Sequence, residues 1–188
     1  EAGPVLTYVT ENDDVKPGCV GKVLPLTELQ IVDTETGDRV LPIGEQGEIR
    51  ARGPQIMSGY RNRPEETAEA LRDGWLYTGD IGELDDEGIL YIRDRKKDMA
   101  IVGGYNVYPR EIDEVLFAHP AVLEAAAVGV PDDYRGEVIR ALVVVKPGEL
   151  VTEEALLVYC QENLAKYKVP AMINIVDDIP KTTVGKID

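Results

Sequence analysis

Arg95-Lys96-Lys97-Asp98 is the stretch on which the reading of the fold turns. Before it the chain reads as short strands joined by turns; after it, helices and strands follow one another. Four consecutive charged residues bring no apolar side chain to a shared core, so a domain boundary is expected here, between residues 1–96 and 97–188.

Upstream, Gly82 to Arg93 predicts a hairpin turning at Asp85-Asp86-Glu87-Gly88. Gly47 to Arg52 alternates, with Ile49 and Ala51 on one face and Glu48, Arg50 and Arg52 on the other. Leu29 to Asp33 and Arg39 to Leu41 flank Thr34-Glu35-Thr36-Gly37-Asp38, a second hairpin. One helix is predicted over Pro64 to Leu71, with proline in the first turn and Glu65 and Glu66 near its positive end. Short strands punctuated by Gly and Pro predict a small, all-β, barrel-like subdomain.

Downstream, Pro109 opens a helix that carries Ile112, Val115 and Leu116 on one face and stops before Pro120. His119 sits at that stop and reads as a surface or capping residue. Val122 to Val130 and Val138 to Val145 predict strands. Thr152 is a good N-cap for a helix reaching Leu164, with Leu156, Leu157, Cys160 and Leu164 on its face, and Ile173 to Val176 is a last strand. This order predicts a compact α+β domain. Tyr77, Tyr91, Tyr105 and Tyr108 read as core or boundary aromatics.

The chain has 188 residues, enough for one or two domains at about 150 residues each. A hydrophobic fraction of 44% argues against disorder, and a net charge of -15 argues against nucleic-acid binding and against docking on an anionic membrane. Two distant cysteines, Cys19 and Cys160, make no disulfide framework and fit a reducing cytoplasm. With His119 the single histidine, a His-based triad or His-rich metal site is excluded. No apolar run approaches the ~20 residues that span a bilayer. The first residue is Glu1 and not Met, so the chain is expected to be a piece of a longer protein.

Three segments offer chemistry. In Trp75-Leu76-Tyr77-Thr78-Gly79-Asp80 an aspartate follows a glycine turn; it either caps a loop, the simpler reading, or accepts two hydrogen bonds from a vicinal diol. Val102-Gly103-Gly104-Tyr105-Asn106-Val107-Tyr108-Pro109 is a strand-to-helix turn, a place of close ligand approach, or both. Lys181-Thr182-Thr183-Val184-Gly185-Lys186 fails as a phosphate loop, because Pro180 stands where the first glycine belongs, Ile187 follows the lysine, and no helix follows. It leaves Lys186 either as a solvated terminal lysine or as a point charge for a carboxylate or phosphate.

The order and spacing of four segments add a resemblance. Gly74-Trp75-Leu76-Tyr77-Thr78-Gly79-Asp80, Arg93 to Asp98, Gly103-Gly104-Tyr105-Asn106-Val107-Tyr108-Pro109-Arg110-Glu111-Ile112 and Pro180 to Lys186 together resemble the adenylate-forming superfamily of acyl-CoA synthetases, luciferase and peptide-synthetase adenylation domains. Glu1-Ala2-Gly3 is similar to the end of that family's Tyr-Gly-x-Thr-Glu motif. The family's phosphate loop and acyl pocket lie upstream of that motif, so the resemblance implies the last barrel subdomain of the large domain (incomplete) followed by the mobile C-terminal domain.

By resemblance, Asp80 and Arg95 bind ATP and AMP through the ribose, and Lys186 is catalytic, bridging the substrate carboxylate and the α-phosphate. Lys97 is the hinge, Gly103 and Gly104 face CoA, and Glu1 helps hold Mg with the part upstream. The implied reaction joins a carboxylate to ATP to give acyl-AMP, then transfers the acyl group to CoA. The Gly-Gly-Tyr-Asn-Val-Tyr-Pro form is closer to medium- or long-chain fatty acid ligases than to peptide-synthetase domains. The alternatives are a peptide-synthetase-type adenylation domain and a non-catalytic binding module of the same fold. The implied partners are the carboxylic acid, ATP, CoA and the upstream domain; the implied location is cytoplasmic, with peripheral membrane contact in the full-length protein. The segment alone is expected to be inactive.

Overall fold

The structure, a computed structural model, describes residues 1–10 and 18–181. They form two compact units, Glu1–Lys97 and Asp98–Asp188.

The first unit contains β1 (Thr7–Tyr8), β2 (Cys19–Val23), β3 (Glu28–Val32), β4 (Gly47–Arg52), α1 (Pro64–Ala70), β5 (Leu71–Arg72), β6 (Trp75–Leu84) and β7 (Ile89–Arg95). They make one antiparallel sheet in the order β1-β2-β7-β6-β4-β3, with β5 added on β6. Register shifts between β2 and β7, β4 and β6, and β6 and β7 bend the strands and curl the sheet. Among the described residues no pairing joins β1 to β3, so the sheet is curled but open and the expected barrel is not closed. Its edges are too slight to meet: β1 has two residues, and the outer side of β3 makes one isolated bridge, Val32 to Val40.

Two local expectations change. Arg39 to Leu41 forms no strand. Instead the Asp33 carboxylate accepts the N–H groups of Thr36 (2.7 Å), Arg39 (2.9 Å) and Glu35 (3.2 Å), which closes a turn and holds that carboxyl well below the usual range. Trp75 to Asp80 is not a capped loop but the first half of β6, with Trp75, Leu76 and Tyr77 all buried. Period-two alternation is missing there because both faces are covered. The guanidinium groups of Arg50 and Arg52 lie 4.8 and 4.6 Å from the Trp75 ring.

A 3₁₀ turn, Lys96–Asp98, follows β7. The second unit then runs β8 (Ala100–Val102), β9 (Tyr105–Val107), α2 (Pro109–Ala118), β10 (Val122–Asp132), β11 (Gly136–Val145), α3 (Glu153–Asn163) and β12 (Met172–Ile175). The sheet order is β10-β11-β8-β9, and β12 runs parallel to β11. Ile112 and Leu116 of α2 and Leu156 and Cys160 of α3 are fully buried against Val107, Val122, Ile139 and Val143. Thr152 caps α3 by accepting the Ala155 N–H at 3.2 Å. His119 ends α2, and its Nδ1 accepts the Ala121 N–H at 3.2 Å, the capping role expected of it. Among the described residues no helix is long and apolar enough to cross a membrane.

Leu116 is fully buried and Phe117 half exposed, although they are adjacent. Leu116→Ala is expected to destabilise the chain by about 2–5 kcal/mol through lost transfer energy and a cavity, and Phe117→Ala by less than about 1 kcal/mol. Urea denaturation followed by circular dichroism checks the contrast.

Candidate functional site

The register between β4 and β6 creates the site in the first unit. Glu48 pairs with Ile81 and Arg50 with Tyr77, so Thr78, Gly79 and Asp80 stand against Ile49 alone. Such a bulge frees backbone groups from the ladder and re-aims side chains. Gly79 takes φ +71°, which glycine adopts without the steric cost met by other residues. The Thr78 hydroxyl donates to the Ile49 carbonyl at 2.8 Å and accepts the Asp80 N–H at 3.1 Å, fixing the kink.

Asp80 leaves this kink opposite Arg95 of β7, its register partner, and its Oδ1 lies 3.0 Å from the Arg95 Nε. Burial pushes the Asp80 carboxyl above its ordinary value. Arg95 opposes that shift, while the Glu1 and Glu48 carboxylates add to it. The Glu1 carboxylate is thus near enough for its charge to act on Asp80. Residues 1–3 run alongside 55–57, with Gly3 N–H to Gln55 carbonyl at 3.1 Å and Met57 N–H to Glu1 carbonyl at 2.7 Å, and the Tyr60 hydroxyl donates to the Glu1 carboxylate at 3.1 Å.

Glu48 is the residue that pattern reading misplaced. The alternation of β4 put it with Arg50 and Arg52 on the face opposite Ile49 and Ala51, yet it is 3% exposed, the one buried charged residue among those described. Its Oε1 accepts the Gly79 N–H at 3.3 Å, and its Oε2 is 2.7 Å from the Lys96 Nζ. Lys96 is read in the sequence only as part of the boundary stretch, and Tyr60 not at all. A bulge in the neighbouring strand β6 cannot be read from the period of β4, so no local signal marked Glu48.

In the second unit, Gly103 and Gly104 form the two-residue tip of a hairpin, because Val102 pairs with Tyr105. Both have positive φ, +57° and +85°, as such tips require. The expected strand-to-helix turn is thus a hairpin, and α2 begins only after it, at Pro109. No atom comes within 4 Å of where a Cβ would stand on either glycine, so the tip is bare. Beside it a cleft of about 620 Å³ is lined by Gly103, Tyr105, Tyr134, Arg135, Lys166 and Tyr167. Tyr105, expected as a core or boundary aromatic, is 60% exposed and stacks on Tyr167 at 4.8 Å.

Of the predicted site residues, the first unit brings Glu1, Asp80 and Arg95 together. Lys97 is exposed on the 3₁₀ turn, and Gly103 and Gly104 belong to the other unit. Lys186 lies outside the described residues. No cluster of three or more His, Cys, Asp or Glu capable of holding a metal occurs among the described residues. Magnesium carried on a polyphosphate needs only one or two protein carboxylates, and the Glu1 carboxylate fits that requirement.

Residues 1–61 match the family model described as AMP-binding enzyme, and residues 111–186 match the AMP-binding enzyme C-terminal domain. A long-chain-fatty-acid–CoA ligase of Bacillus subtilis is 52% identical over 172 residues, covering 92% of this chain and 30% of the relative. One from Escherichia coli is 46% identical over 187 residues, covering 100% of this chain and 33% of the relative. The chain therefore spans about a third of the length of the curated relatives it matches. The crystal structure of ATP-bound MatB from Rhodopseudomonas palustris superposes with a TM-score of 0.88 at 40% identity, over 96% of this chain and 36% of that one.

The raised Asp80 carboxyl fixes a sign. Its charged form is disfavoured in the fold, so the stability that its protonated form contributes is complete below the unfolded value near 3.8 and is lost as pH rises through the higher folded value. Asp80→Asn is expected to raise the melting temperature at pH 7, with the gain shrinking as pH falls towards about 4. Thermal melts of the two proteins across that range check it.

Proposed function

This chain belongs to the adenylate-forming, AMP-binding enzymes, and we propose that it supplies the ribose-binding wall and the C-terminal domain of an ATP-dependent acyl-CoA ligase acting on fatty acids. The observation that carries this reading is the Asp80 carboxylate, lifted on a glycine bulge and braced by Arg95. A partly buried carboxylate held by one cation keeps acceptor capacity for the two hydroxyls of a ribose. The raised proton affinity of Asp80 accords with a group kept partly desolvated for a polar ligand.

In the first half-reaction a carboxylate oxygen attacks the α-phosphorus of ATP and pyrophosphate leaves. Asp80 orients the ribose, and Arg95 orients Asp80. Glu1 would contribute a carboxylate to magnesium, which when bound would supply positive charge against the phosphates. Lys186 bridges the acid and the α-phosphate and meets negative charge as it develops. In the second half-reaction the CoA thiol attacks the acyl carbonyl and AMP leaves. The bare Gly103-Gly104 tip gives a thiol carrier room to pass close to backbone, and the neighbouring Arg135 and Lys166 suit its phosphates, with the exposed tyrosines suited to a base.

Lys97 is the pivot between the two half-reactions, since Lys186 and the glycine tip serve the same adenylate in different steps. The long-chain-fatty-acid ligase relatives support fatty acids as substrates, and the free thiols Cys19 and Cys160 support a cytoplasmic location.

Half-reactions assayed separately in the full-length ligase test this reading. Lys186→Ala is expected to lose adenylation on the order of 100-fold or more yet still convert supplied acyl-adenylate to thioester. Lys97→Pro, which fixes φ near -65° and removes an N–H, is expected to depress thioester formation far more than adenylation. Equal loss of both steps in both variants would refute the assigned roles.

A further inference from the structure

Glu48 closes a ring of contacts around the proposed ribose carboxylate. Its Oε1 takes the Gly79 N–H, Gly79 leads into Asp80, Asp80 pairs with Arg95, and Lys96, the next residue, returns to Glu48 Oε2 at 2.7 Å. Each link has a physical requirement behind it. The bulge takes the Gly79 N–H out of the strand ladder, and a backbone donor without a partner is unfavourable. A carboxylate that is 4% exposed must be compensated by donors or a counter-charge. Glu48 and Lys96 meet both needs with one contact set, and they do so across the neighbouring strands β4 and β6 and the end of β7.

We propose that Glu48 is a positioning residue for nucleotide recognition: held by Lys96, it sets the bulge that presents Asp80 to the ribose. The proposal rests on the ribose role of Asp80 given above. It assigns Lys96 a part that its neighbours do not share. Arg95 reaches Asp80 directly, and Lys97 is exposed, whereas Lys96 acts only through Glu48. It also anchors β7 immediately before the proposed pivot, so that a rotation beginning at Lys97 leaves Arg95 in place.

Ribose discrimination is the readout that a merely structural role would not move. In the full-length ligase, kcat/KM is compared for ATP and 2′,3′-dideoxyATP in the wild type and in Asp80→Ala, Glu48→Gln, Lys96→Met and Lys96→Arg. Wild type is expected to prefer ATP strongly, and Asp80→Ala to abolish the preference. Glu48→Gln and Lys96→Met should each cut it by roughly tenfold, the scale of misplacing a binding group by a fraction of an ångström, with KM for the fatty acid unchanged. Lys96→Arg, which keeps the cation, should restore most of it, so the lysine pair decides the matter even if Glu48→Gln folds poorly. If Asp80→Ala abolishes the preference while Glu48→Gln and Lys96→Met retain it, the positioning role is wrong and the ribose site stands. If Asp80→Ala leaves the preference intact, the ribose site is wrong and the positioning role falls with it.

Discussion

A carboxylate taken out of water must find donors, and in the first unit this requirement falls on Glu48. Its two oxygens are committed, one to a backbone N–H released by a bulge and the other to a lysine side chain. Removing either partner leaves charge or a donor uncompensated in a low-dielectric setting, where the penalty is several kcal/mol for an ion. The register of β4 on β6, the kink at Gly79, the direction of Asp80 and the end of β7 are therefore not independent choices. They are one solution to the placement of one buried charge.

That solution separates two duties that the proposed binding carboxylate would otherwise have to combine. Among the described residues Asp80 pairs with one cation, Arg95, whose own side chain is 62% exposed, so solvent or a ligand can still reach the pair. The deeper and fully matched pair, Glu48 and Lys96, carries the structural load. This leaves the proposed ligand-facing carboxylate undercommitted, and burial lifts its proton affinity more than Arg95 lowers it.

Much of the fold was legible because local rules and packing agreed. Pro109 at a helix start, the Ile112–Leu116 face and the Thr152 cap all reappear, since propensity, capping and burial point the same way there. The hairpin between β6 and β7 was found through its Asp85 turn, where Asp85 Oδ1 accepts the Glu87 and Ile89 N–H groups at 3.0 and 2.9 Å. Reading failed where long-range partners overrode the pattern. Trp75 to Tyr77 looked like a loop because arginines from β4 bury the outer face, and the burial of Glu48 went unread because its partners lie 31 and 48 residues away. The expected barrel likewise depended on edges meeting, which alternation cannot foretell. Asp80 and Arg95 were reached through the order of motifs and not through the chemistry of either segment alone, where an aspartate after a glycine reads more simply as a cap.

The most direct measurement is a crystal structure of the full-length protein with AMP bound, in which the distances from the Asp80 carboxylate oxygens to the ribose hydroxyls are read. Both hydroxyls are expected within hydrogen-bonding range, about 2.6–3.0 Å, with Gly79 in its left-handed conformation and the Glu48–Lys96 pair intact. A ribose bound away from Asp80, or held there with Glu48 detached from both Gly79 and Lys96, would contradict the dependence of the site on that buried charge.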